Sequence, residues 1–176
     1  MISMKTRTLC VLFISLMMFG EANAHLMVAQ HGTLNVVDDG AFMVLSVPVA
    51  SFSGVDDDGD GLLSNREFER HRSAIAEAVA ARVSLKDPEG PLPLQGLMLS
   101  PVVSHNAPDG PASQLIIMGR FALGEHRENL RFEPDFYGKL GQEKSLKITA
   151  TDKSRGERTV LELSVEQPVG TLFSRK

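Results

Sequence analysis

The chain has 176 residues, a formal net charge of −4, one cysteine, one tyrosine and no tryptophan. Its mild acidity, with no stripe of lysine and arginine, argues against nucleic acid as a partner. A single cysteine excludes a disulfide framework, and the length suits one domain with a sizeable core.

Residues 1–24 read as a signal peptide. Lys5 and Arg7 form a positive start, Leu9 to Gly20 is a short apolar run, and Ala22 and Ala24 give the small-x-small pattern of a cleavage site. Cleavage is expected between Ala24 and His25, which exports the protein to the periplasm or the exterior. Cys10 leaves with the leader. No later apolar run approaches membrane-spanning length, so residues 25–176 are expected to form one soluble β-rich domain.

The first elements of that domain read as a β-hairpin. Leu34 and Val36 alternate with polar neighbours, Asp39-Gly40 offers a two-residue turn, and Ala41 to Val49 forms a more buried strand, with Pro48 near its end. An acidic stretch, Gly54 to Phe68, leads into the one convincing helix, expected at Ser64 to Ser84. There Phe68, Ile75, Val79 and Val83 recur at helical spacing, and Lys86-Asp87-Pro88 is expected to end it.

Beyond a proline- and glycine-rich connector, residues 97–103 suggest a short strand and residues 104–113 a loop. Leu115, Ile117, Gly119, Phe121 and Leu123 share one side of a strand, with Arg120 on the other. Residues 129–133 are expected to pair with it after the polar turn at 124–128. Leu146, Ile148 and Ala150 point inward on the next strand. Thr159, Leu161, Leu163 and Val165 answer on a last one. About seven short strands and one helix predict an antiparallel β-sandwich of immunoglobulin-like architecture, with a loop-and-helix insertion at about 54–86.

The acidic stretch carries the chemistry. From Asp56, positions one, three and five are Asp56, Asp58 and Asp60, position six is Gly61, position seven Leu62, position nine Ser64 and position twelve Glu67. This D-x-D-x-D-G-x5-E spacing resembles the calcium loop of the EF-hand family. The resemblance implies carboxylate ligands from Asp56, Asp58 and Asp60, a carbonyl from Leu62, a direct or water-mediated contact from Ser64 and a bidentate carboxylate from Glu67. An all-oxygen donor set suits Ca2+. Leu63 fits the family's apolar position eight, whereas Asp57 is no ligand in this pattern. Two other readings are a solvated acidic turn and a helix start, since Ser64 and Glu67 also form a capping box. Capping leaves Asp56, Asp58, Asp60 and Gly61 unexplained.

The chain departs from the family in lacking an incoming helix and a second loop. The expected role of the ion is therefore structural, since a sensor reorients two helices. A second reading makes His25 a mature N-terminus whose amine and imidazole bind copper with His31, His71, His105 or His126, resembling a histidine-brace site. A third is an adhesion or envelope-assembly module in which an envelope or extracellular protein binds a sheet edge. Hydrolase signatures such as G-x-S-x-G and H-E-x-x-H are absent, and no enzymatic activity is expected.

Overall fold

The computed structural model describes residues 30–104, 107–138 and 141–174. The expected signal peptide and cleavage site, together with His25 and His105, lie outside the described residues. The chain folds as a mainly β sandwich, with one α-helix among the described residues.

Strands β1 (His31–Val37) and β2 (Gly40–Pro48) form the expected hairpin. The turn, however, is Asp38-Asp39, one residue earlier than Asp39-Gly40, because Val37 pairs with Gly40. Asp38 takes the positive φ of 49°, which a short polar side chain tolerates. Gly40 belongs to the strand, where a Cβ would stand 2.5 Å from Nε of Arg120.

A single turn of 3-10 helix (Val49–Ser51) and the acidic loop then lead into α1 (Asn65–Arg82). Among the described residues no α-helix precedes the loop. The inward stripe is as expected, with Phe68, Ile75 and Val79 buried in the common core. The end of α1 differs from the expectation. The helix stops at Arg82, and Val83 opens strand β3 (Val83–Asp87) with extended dihedrals. Val83 and Leu85 are both buried, so the apolar period changes from helical to alternating at Val83, and Pro88 ends β3 instead.

The connector carries β4 (Gly90–Pro91) and the start of β5 (Leu94–Val102), a longer strand than expected. β5 runs antiparallel to β6 (Gln114–Ala122), which also pairs with β2. Both edges of β6 are thereby filled, so β7 (Leu130–Pro134) does not pair with it. Instead β7 crosses to the second sheet, between β3 and β10 (Gly170–Leu172). The last hairpin, β8 (Ser145–Asp152) and β9 (Glu157–Ser164), is as expected, except that Val165 lies beyond the strand and is exposed. β8 joins β1 in parallel.

The resulting orders are β5-β6-β2-β1-β8-β9 in the six-stranded sheet and β10-β7-β3-β4 in the four-stranded one. Leu34, Leu45, Ile117, Phe121, Phe132 and Ile148 are fully buried in the shared core. Among the described residues no helix is long and apolar enough to cross a membrane.

Candidate metal centre

The acidic loop is fixed at its base by apolar side chains. Phe52, Val55 and Leu63 are buried, and Leu63 exchanges two backbone hydrogen bonds with Ala112, each of 2.8 Å. The N–H of Val49 donates to the carbonyl of Ser113 nearby, at 3.0 Å. The stretch before β6 therefore supports the loop from the other side. Sequence reasoning missed this support, because a single bridge between distant loops leaves no periodic signal.

Above that base the backbone turns sharply. Gly61 has φ 81° and Gly59 φ 76°, a region that side chains disfavour. The turn brings N–H groups onto the aspartates. Asp56 accepts through Oδ1 from Gly59 (2.7 Å) and through Oδ2 from Gly61 (2.8 Å). Asp58 Oδ1 accepts from Asp60 N–H at 3.2 Å, and Asp60 Oδ1 from Leu62 N–H at 2.7 Å. One carboxylate oxygen from each of Asp56, Asp58 and Asp60 lies within 4.8 Å of the others. Two oxygens coordinated to one cation at ~2.3–2.6 Å can be at most about 5.2 Å apart. The three carboxylates thus fit around one hard cation. Asp58 and Asp60 are exposed and Asp56 is half-buried, so the cluster opens to solvent.

Glu67 is not part of this converging group. It is buried, and its carboxylate is turned onto the chain entering the helix. Oε1 accepts from the N–H of Asp57 at 2.7 Å. Oε2 accepts from the N–H of Ser64 at 2.8 Å and from the Ser64 hydroxyl at 2.7 Å. Ser64 Oγ in turn accepts from the N–H of Glu67, which completes a capping box. The Ser64 hydroxyl, then the amides of Ser64, Asp57 and Asp58, hold the Glu67 carboxyl down at a pKa of about 2. Leu62 is half-buried, its N–H on Asp60, and directly precedes the Leu63 bridge.

Asp57 has a more definite place than its sequence position suggested. Its carboxylate is outside the converging group and engages α1. There it forms an ion pair with Arg70 and a 2.8 Å contact with Nε2 of His71. The His71 hydrogen bond, then the charges of His71 and Arg70, lower the Asp57 pKa. The signal was available in helical spacing: Arg70 and His71 follow Glu67 by three and four positions and share its face.

Among the described residues, His31, His71 and His126 do not converge on one another. His71 is engaged by Asp57, His126 meets Glu89 at 3.1 Å, and His31 starts β1. Among the described residues, the three aspartates are the one group of three or more carboxylate, imidazole or thiol side chains whose ligand atoms converge. No known protein-family model matches the chain, and no curated protein sequence matches it.

Proposed function

We propose that this chain is an exported, non-enzymatic calcium-binding β-domain in which one EF-hand-type loop holds a structural ion. The observation that carries the reading is the convergence of Asp56, Asp58 and Asp60 within 4.8 Å on a loop whose glycines and amides match the twelve-position pattern. These three carboxylates would hold the cation, with the Leu62 carbonyl and Ser64 adding to the set; Glu67, the twelfth-position ligand of the pattern, would join only by releasing the amides of Asp57 and Ser64. A divalent cation supplies charge neutralisation there.

What the chain contributes is position. Asp56 closes the loop over Gly59 and Gly61, and Glu67 ties the amides of Asp57 and Ser64 to the first turn of α1. Leu63 fastens the loop to the sandwich at Ala112. Among the described residues only one helix flanks the loop and none pairs with it, which favours a stabilising role over a sensing one. Isothermal titration of chelator-treated protein with calcium is expected to give one site of roughly 10⁻⁴–10⁻³ M. Absence of any binding heat at millimolar calcium, together with no terbium luminescence, would reject the proposal. Fractionation of the producing cells tests export, with protein retained inside the cell counting against it.

A further inference from the structure

β9 ends the six-stranded sheet, and among the described residues no strand pairs with its outer edge. Open edges invite pairing with another chain, and proteins usually blunt them with bulges, prolines or short strands. The other three edges here are blunted. β5 breaks register between Gln95 and Met98 and contains Pro101, while β4 and β10 have two and three residues. β9 runs for eight residues with neither bulge nor proline; only at its end are the N–H and C=O of Ser164 taken, by Gln167, which leaves the edge from Arg158 to Glu162 open.

The hydrogen bonding fixes which backbone groups the edge presents. The Lys147 N–H donates to the carbonyl of Gln30 at 3.0 Å, on the β1 side of β8. Lys147 therefore turns its backbone away from β9. Its cross-strand neighbour Glu162 stands in a non-hydrogen-bonded pair, with N–H and C=O facing the open edge. The alternation of antiparallel pairs places the same groups of Val160 and Arg158 on that edge. Their side chains share the outer face, all exposed, and Val160 is 49% accessible.

Read along the strand, Arg158, Val160 and Glu162 form a charge pattern that is its own complement. We infer that a second copy of this chain docks antiparallel on β9, with a two-fold axis at Val160. In that register Val160 meets its counterpart in a hydrogen-bonded pair, and each Arg158 lies opposite the Glu162 of the other copy. Neither Arg158 nor Glu162 has an ion-pair partner among the described residues. Centring the axis on Arg158 or Glu162 puts like charges face to face, which is destabilising. Centring it on Thr159 or Leu161 sets Val160 opposite one charged residue and leaves the charges unmatched. On the inner face, half-buried Leu161 gains cover from Thr159 of the second copy. Glu162 comes to lie between Lys147 of its own chain and Arg158 of the other, basic groups on both sides. The two six-stranded sheets then continue through one another.

This contact is a single strand edge, at the low end of interface size, so the dimer is weak and depends on concentration. It does not rest on the metal reading, and chelation is expected to leave it unchanged.

Sedimentation equilibrium on protein purified after expression of the full chain tests the inference, with variants that reverse the charges. Arg158→Glu and Glu162→Arg are each expected to raise the dimer dissociation constant by about tenfold or more, because the two-fold repeats every pair. The double variant Arg158→Glu/Glu162→Arg restores the pairing and the dimer. Exposed charge changes at these positions leave the core untouched, and circular dichroism of each variant verifies the fold. Hydrogen exchange at the amides of Arg158, Val160 and Glu162 is expected to slow as protein concentration rises. A protein that stays monomeric into the millimolar range overturns the inference. So does a dimer indifferent to Arg158→Glu, or one that the double variant fails to restore.

Discussion

Removing one carboxylate charge without disturbing the loop backbone separates a cation site from an acidic turn. Asp58→Asn is the suitable change. Asp58 accepts one long hydrogen bond, 3.2 Å from Asp60 N–H, and the asparagine carbonyl can still accept it. Asp56→Asn is a poorer probe, because both Asp56 oxygens receive amides, from Gly59 and Gly61, and the new NH2 group would face one of them. An exposed, single loop is expected to bind calcium at roughly 10⁻⁴–10⁻³ M. At about 10 mM calcium, ten- to a hundredfold above that range, linkage gives ~1.4–2.7 kcal/mol of added stability. For a domain of this size each kcal/mol moves the midpoint by about 2–4 °C, so the expected rise is about 3–11 °C. The assay is thermal unfolding followed by circular dichroism at fixed ionic strength, with chelator, calcium or magnesium. The wild type should show this rise and Asp58→Asn little of it, with similar midpoints for both in chelator. An equal rise in both proteins, or none in the wild type, refutes the assignment of these carboxylates to a cation.

In chelator, the stability advantage of the wild type over Glu67→Gln should be full above about pH 4.5 and fade as pH falls toward 2. The folded carboxyl is held near 2, so its contribution is present above the unfolded value and lost as the folded form protonates; an advantage that grows on acidification would contradict this. Ser64→Ala removes the helix cap and should cost about 0.5–2 kcal/mol in urea unfolding without calcium. Ile75→Ala empties a fully buried position under α1 and should cost about 2–5 kcal/mol, while the calcium-induced rise persists. A calcium effect that vanishes in a folded Ile75→Ala protein would show that the ion acts through helix packing.

Local devices in this chain were legible from the sequence, and choices of partner between distant segments were not. Gly61 reads as a sharp turn because its neighbours alone demand one, and Ser64 reads as a cap because its partner Glu67 is three residues away. The β8–β9 hairpin is equally local. By contrast, β7 carries the same alternation whether it pairs with β6 or crosses to β3, and only the filled edges of β6 decide. The parallel pairing of β1 with β8 and the bridge of Leu63 to Ala112 likewise join segments with no sequence sign of each other. Val83 illustrates a different ambiguity. It is inward in a helical period counted from Ile75 and Val79 and also inward in a strand with Leu85, so the pattern alone carries the expected helix past its true end at Arg82. Glu67 is ambiguous for a chemical reason, since a capping box and a twelfth-position ligand ask for the same residue at the same spacing.

That double use bears on what an ion can do here. The loop amides of Asp57, Gly59, Asp60, Gly61, Leu62 and Ser64 all have carboxylate acceptors from the loop or from Glu67. The loop backbone is therefore held by hydrogen bonds of its own. What those bonds leave uncompensated is the negative charge of three carboxylates gathered at the mouth of the loop. Asp57, the fourth, is already matched by Arg70 and His71 on α1. Leu63 is tied to Ala112 at the other end, so binding has little slack to transmit as movement. Charge neutralisation by a cation on such a doubly anchored loop would raise stability with little movement of its backbone. The same geometry that favours a cation thus argues against a switch.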